Sequence, residues 1–274
     1  RFWNNYEKPA IFGEAGASHT YIDPESSDYS LLFHNAIWTS LANGLASTPV
    51  WWSYPRLTSQ DWDHLQYLGD FTSRIDFANT NYDIGRIRAD GADAYNMAAD
   101  TLAFGWLRSY SASDISGSEV GIGDLTDGSY KLHWYNTWNG DTVSVDTLVS
   151  AAGMLKADVP QLSQARKDIA YSIDAIENAT GATRLNLFIQ SDDIQAGSDK
   201  SYTVVAYISD NRGRLAADAA HQISFNVTGP GELDKETAAA QNGIATATYH
   251  PAKSGAEEIS ITAEAEGVTA ATLN

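Results

Sequence analysis

The chain has 274 residues, 43% hydrophobic and 19% charged, which is enough apolar material for two or three packed domains and too little charge for a disordered chain. A formal net charge of −18 repels phosphate backbones and anionic lipid, so neither nucleic acid nor a membrane is expected as a partner. The absence of cysteine removes disulfides, thiol catalysis and thiolate metal sites, and no apolar run approaches the ~20 residues needed to span a bilayer.

Residues 1–80 open with Lys8-Pro9-Ala10-Ile11-Phe12-Gly13-Glu14-Ala15-Gly16. The short apolar run 10–12, bounded by Pro and Gly, predicts a buried strand. Residues 30–44 predict a helix, with Leu31, Leu32, Ile37, Trp38, Leu41 and Ala42 at helical spacing and Gly44 as the stop. A second apolar strand is expected at 46–52. A second helix is expected to start at Thr58-Ser59-Gln60-Asp61 and to present Leu65, Leu68, Phe71 and Ile75 on one face. Strand, helix, strand, helix is the pattern of βα units on a parallel sheet.

Residues 81–175 change character. Candidate strands recur at 94–99, 102–109, 128–135 and 143–149, and Asp127-Gly128 and Asn139-Gly140 read as hairpin turns. An antiparallel β-sandwich is expected here. Residues 183–274 carry strand patterns at 185–191, 201–209, 220–227, 244–249 and 257–265, punctuated by turns at 211–213 and 229–231. Their size and spacing predict an immunoglobulin-like sandwich, with 174–182 as the linker. The eight tryptophans all lie at or before Trp138.

Two βα units bury neither face of a parallel sheet, and a (β/α)₈ barrel needs ~250 residues. The expectation is therefore that residues 1–80 form the C-terminal part of such a barrel. Its earlier strands would precede Arg1, on a longer precursor or a separate chain. Glu14 follows the first strand, where barrel enzymes place catalytic groups, and Gly13 and Gly16 permit close approach. A retaining glycosidase needs one carboxylate as nucleophile and a second as acid and base about 5 Å away. The plainer reading of Glu14 is a strand-end carboxylate that caps a helix or pairs with arginine.

The run 8–16 resembles the seventh-strand nucleophile motif of clan A (β/α)₈ retaining glycoside hydrolases, the group of cellulase- and agarase-like bacterial enzymes. His34-Asn35-Ala36-Ile37-Trp38 through Gly44, then Thr48-Pro49-Val50-Trp51-Trp52, is similar to that clan's seventh helix and eighth strand. Residues 127–130, 134–137, Gly140 and 168–170 resemble the sandwich that follows the barrel. Residues 206–213, 224–233 and 243–248 resemble the immunoglobulin-like modules of bacterial glycosidases and adhesins. The resemblance implies Glu14 as nucleophile and Trp51 or Trp52 as the platform beneath a sugar. Neighbouring strand residues face opposite ways, so one of the two would pack against a helix instead. The clan's acid/base glutamate, which follows an Asn on the fourth strand, has no counterpart before Glu14. It is expected on the segment upstream of Arg1.

His19, His34 and Tyr54 are further candidates for substrate contact, and Arg56 for an acidic sugar substituent; each is as readily a structural group. Asp23, Glu25 and Asp28 lack the spacing and Gly of a calcium loop, and Asp124, Asp127, Asp192 and Asp193 read as turn residues. No metal and no cofactor is expected. The function that follows is hydrolysis of a β-linked poly- or oligosaccharide by an exported bacterial enzyme, secreted, periplasmic or at the cell surface, together with the segment that completes the barrel. Two rivals are a non-catalytic carbohydrate-binding or adhesion protein built on the sandwiches, and a β-galactosidase-like clan member.

Overall fold

The computed structural model describes residues 10–16, 22–23, 25–52, 54–110, 114–161, 168–190, 200–252 and 258–274. Contacts divide the chain into two units: Arg1–Leu125 with Leu132–Asp146 and Lys156–Asp174, and Thr126–Lys131 with Thr147–Leu155 and Ala175–Asn274.

In the first unit, segments 10–16 and 46–52 run side by side in parallel. Ala46 N donates to Ala10 O (2.8 Å), Val50 N to Phe12 O (3.2 Å), Ala15 N to Val50 O (2.9 Å) and Trp52 N to Ala15 O (2.7 Å). Neither segment is a regular strand, only the Ala15–Trp51 bridge pairs regularly, and Ile11 and Phe12, expected to be buried, are exposed because nothing among the described residues covers that side. Val50 spans Phe12 O and Ala15 N, so Gly13-Glu14 holds one residue more than a regular parallel ladder allows. On the other side Pro49 has no N–H to donate, and the chain between Ala46 and Val50 is likewise longer than its partner.

Helix α1, Ser27–Ala42, links the two segments. Ser26 caps it, its Oγ accepting from Tyr29 N (3.3 Å), and Gly44, at φ 69°, ends it. Its buried face is Tyr29, Phe33, His34, Ile37 and Trp38, whereas Leu32 is exposed. The helix starts earlier and is turned away from the stripe of Leu31 and Leu32, because aromatic side chains fill the space beneath it. Helix α2, Ser59–Thr72, begins at the anticipated position. Thr58 and Asp61 form a capping box, and Asp61, His64, Leu68 and Phe71 face inward.

The following strands build one nine-stranded sheet in the order β1-β3-β4-β9-β6-β7-β8-β5-β2. Here β1 is Asp83–Ile84, β2 Ile87–Ala89, β3 Ala92–Ala98, β4 Leu102–Ser109, β5 Glu119–Gly123, β6 Gly128–Tyr135, β7 Thr142–Ala151, β8 Met154–Asp158 and β9 Asp168–Ile176. The sheet curls until the start of β2 meets β3, where Asn96 Nδ2 donates to Arg86 O (3.2 Å) and Gly85 N to Asn96 O (2.9 Å). Asn139-Gly140 turns between β6 and β7 as expected, with Gly140 at φ 80°. Asp127-Gly128 is not a hairpin turn, because β5 and β6 are not neighbours; Asp127 Oδ1 instead accepts from Gly153 N (2.9 Å). One side of this sheet packs on the helices: Met97, Phe104, Trp106, Tyr135 and Ala170 share one core with Tyr29, Phe33, Ile37, Trp38, Trp51 and Phe71. Leu107, Val120, Ile122, Leu132, Trp134, Tyr171 and Ile173 are buried outside that cluster.

Gly105, in the middle of β4, is a point of close approach. A Cβ there would run into the Tyr95 carbonyl on β3 and the Tyr171 hydroxyl on β9. Tyr171 is fully buried and donates to Asn96 Oδ1 (2.9 Å), so it has no room to yield. Gly105→Ala is expected to cost about 2–3 kcal/mol. A denaturation midpoint equal to wild type would show that the tyrosine gives way.

In the second unit, two four-stranded antiparallel sheets enclose a core of Ile223, Phe225, Val204, Ile208, Tyr249 and Ile261. One sheet is β10 (Arg184–Ile189), β11 (Tyr202–Ser209), β15 (Ile244–His250) and β13 (Glu232–Leu233). The other is β14 (Thr237–Ala239), β12 (Gln222–Thr228), β16 (Ser260–Glu264) and β17 (Ala271–Leu273). This β content fits the expectation of a sandwich, and the main strands lie close to where alternation put them. The stretch read as a linker is ordered at both ends. Residues 174–176 finish β9, and Ala179 bridges Ala216. Among the described residues no helix is long and apolar enough to cross a membrane.

Candidate active site

Glu14 sits in the extra-residue bulge of the parallel pair and is exposed. Bulges re-aim side chains, and they recur beside active sites. Ala15 and Trp51 pair across the bridge and both turn toward α1: Trp51 is 5% exposed and Ala15 packs on the same core. Glu14 and Trp52, on either side of that bridge, are both exposed, Trp52 at 70%. Gly16, at φ 150°, holds a backbone conformation that other residues rarely adopt, and a Cβ there would be only in ordinary contact with Trp52 Cβ, at 3.6 Å.

The choice between the two tryptophans is made by α1. Trp51 Nε1 donates to Tyr29 Oη (2.8 Å), and its rings meet Tyr29 and Phe33 edge-on at 5.7 and 5.2 Å. Trp51 is a core residue, and Trp52 is the one available to a ligand. Trp51→Ala is accordingly expected to cost about 3 kcal/mol, and Trp52→Ala less than about 0.5 kcal/mol. Urea unfolding of both variants checks the order; the reverse order would mean that Trp51 is the outward ring.

Tyr54 opens the short 3₁₀ turn Tyr54–Arg56 directly after this segment; it is exposed, as is Arg56. His19 lies outside the described residues, as do Asp192 and Asp193. Asp23 Oδ1 accepts from Glu25 N (3.0 Å), a turn-forming bond at the approach to α1. No cluster of three or more metal-ligating side chains occurs among the described residues.

His34 is not placed to touch a substrate. It is fully buried, because the face of α1 that carries it turns into the core. Its Nε2 donates to Asp168 Oδ2 (2.9 Å), and its ring stacks on Trp138 with centroids 4.0 Å apart. Asp168 also accepts from Trp106 Nε1 (2.7 Å), Thr137 Oγ1 (2.8 Å) and Trp138 Nε1. Burial alone would raise the Asp168 pKa, but His34 and these donors outweigh it and hold the carboxyl below its ordinary value. His34 Nδ1 lies 3.4 Å from Nδ1 of His64 on α2. Burial, and then the neighbouring His34, lower the His64 pKa to about 4. The importance of His64 was not apparent from the sequence, although Asp61 and His64 interrupt the apolar stripe of α2 at its own spacing. Two polar groups on a core-facing stripe are the available signal.

No protein-family model matches the chain, and no curated protein matches it. Among solved structures it is similar to a β-glucuronidase from Parabacteroides merdae, at 15% identity and a TM-score of 0.31, over 59% of this chain and 23% of that one. A glycosyl hydrolase family 2 member from Bacteroides cellulosilyticus DSM 14838 is similar at 12% identity and a TM-score of 0.35, over 99% of this chain and 38% of that one. A GH30 endoxylanase from Clostridium papyrosolvens C71 is similar at 13% identity and a TM-score of 0.39, over 64% and 44%. The chain spans less than half the length of each.

Proposed function

We propose that this chain is the C-terminal part of an exported retaining glycoside hydrolase acting on a β-linked poly- or oligosaccharide, with Glu14 as nucleophile. The observation that carries the reading is that Glu14 and Trp52, on either side of the Ala15–Trp51 bridge, are both exposed at the end of a parallel pair. A carboxylate and a flat ring presented together suit a sugar, whose apolar face stacks on an indole while its anomeric carbon meets the carboxylate. The resemblance of residues 8–16 to the clan's nucleophile motif implies the same carboxylate. Glu14 attacks the anomeric carbon while a second carboxyl group, about 5 Å away, protonates the leaving oxygen. That group then deprotonates the water that releases the sugar with its original configuration.

The second carboxyl group belongs to the segment that completes a (β/α)₈ barrel, on this reading. Two features support such a segment. Ile11, Phe12 and Val50, on the parallel pair, are 57–64% exposed, whereas parallel sheets are otherwise covered on both faces. An apolar cleft of about 1160 Å³, lined by Leu41, Leu45, Ala46, Leu65, Leu68 and Phe104, lies beside the start of segment 46–52 and offers room for further packing. The adhesion reading has less to stand on. Among the described residues after Val145 no large apolar side chain is exposed, so the last sandwich presents no aromatic platform.

A 2-deoxy-2-fluoro β-glycoside with an activated leaving group tests the reading. Incubated with the assembly that contains this chain and its upstream segment, it should leave a fluoroglycosyl ester on the peptide bearing Glu14, detected by mass spectrometry. An ester on another carboxylate would overturn the assignment of Glu14. Hydrolysis with inversion of configuration would overturn the retaining mechanism.

A further inference from the structure

The buried pair of histidines is not used by the reaction above, and its geometry has a consequence of its own. A carboxylate only accepts hydrogen bonds, so His34 Nε2 carries the hydrogen that Asp168 receives. The remaining nitrogen of His34 faces His64 Nδ1 at 3.4 Å. Two facing nitrogens hold one hydrogen between them: one donates and the other accepts. The contact joins α1 to α2, and through Asp168 it joins both to β9. The other nitrogen of His64, Nε2, is buried without a hydrogen-bond partner, as is Asp61 Oδ1.

We propose that the His34–His64 contact is an acid-labile latch that holds helix α2 on the sheet and releases it when both rings carry a hydrogen on the facing nitrogens. Every charged or titratable group near His64 bears on this. His34 on α1 disfavours a positive charge on His64. Asp61 and Asp63 on α2 and Asp168 on β9 favour it, yet burial and His34 prevail. Tyr67, one turn along, meets the His64 ring edge-on at 6.2 Å, and Trp138, edge-on at 4.8 Å, carries no charge. Release affects the apolar cleft, since Leu65, Leu68, Gly69 and Thr72 of α2 form one of its walls. Acid would thereby open that cleft.

The direction follows from linkage. His64 has a lower pKa in the latched state than free in water, so latching is favoured at high pH and is lost as pH falls from 6.5 toward about 4. Between pH 7 and pH 5 the released population should rise about twentyfold. Amide hydrogen exchange on the full chain, corrected for the intrinsic rate at each pH, reads this directly. Protection of α2 should fall about twentyfold over that interval while the strands of the second unit keep theirs. His64→Asn, whose amide replaces Nδ1 with a group that does not titrate, should remove the pH dependence. If that variant does not fold, imidazole ¹⁵N shifts of the wild-type chain report whether the facing nitrogens gain a second hydrogen in the same interval. Unchanged α2 protection at pH 5, the same pH dependence in His64→Asn, or equal loss of protection throughout the chain would each overturn the latch.

Discussion

Glu14→Gln is expected to reduce turnover of a β-glycoside by about a thousandfold or more in the complete assembly, with little change in folding. Glutamine keeps the shape but has no anionic oxygen to form the glycosyl ester, so the double displacement loses its first step. The side chain is exposed on a bulge and supports no core, so stability should shift by less than about 0.5 kcal/mol. A rate loss without a stability loss separates a nucleophile from a strand-end cap. Glu14→Ala adds a second readout. It leaves a gap on the face from which the carboxylate attacks, and azide entering there should restore turnover of an activated β-glycoside and yield the α-glycosyl azide. Wild-type turnover in Glu14→Gln would end the proposal for this residue. Failure of azide rescue, with the protein folded and the rate lost, would assign Glu14 to positioning.

Asp168→Ala should be the most damaging single change to the fold, at about 4–5 kcal/mol. Four donors converge on that carboxylate, from His34, Trp106, Thr137 and Trp138. Removing it leaves each of them buried without an acceptor, and every such group costs about 1–3 kcal/mol, in a non-additive way. Domains are stable by only about 5–15 kcal/mol, so the variant should lie near its unfolding threshold. Asp168→Asn keeps the volume but turns an amide N–H toward a donor, and should still cost more than about 1 kcal/mol. Urea unfolding of both at neutral pH measures this. A loss below 1 kcal/mol for Asp168→Ala would mean that the donors find other acceptors. The carboxyl is held below its ordinary pKa in the folded chain. Its contribution is therefore present above about pH 4 and disappears as pH falls further, below the interval in which His64 acts.

Much of the architecture was legible along the chain. Strands β4 and β6 fall at the residues where alternation put them, and β11, β12 and β15 lie within two residues of it. The Asn139-Gly140 turn and the Thr58–Asp61 capping box were equally plain. These features are decided by a residue and its near neighbours, through pleat alternation, backbone angle and side-chain bonds to adjacent amides. The face of α1 was legible at Ile37, Trp38 and Ala42, which are buried as expected, but not in its first turns, for a physical reason. Leu31 and Leu32 are as apolar as Tyr29 and Phe33, and only the partners beneath the helix distinguish them.

Glu14 was singled out from its own segment, as a carboxylate between glycines after a short apolar run. The sequence by itself determined the order of the helices and strands that follow it. Which tryptophan faces outward was decided only when α1 placed Tyr29 where it accepts the Trp51 indole hydrogen. The polar hub joins His34 to Asp168 across 134 positions, and it exists because the sheet places β9 between β4 and β6. Contacts of that span depend on strand order and on which faces meet, and no local pattern of residues encodes either.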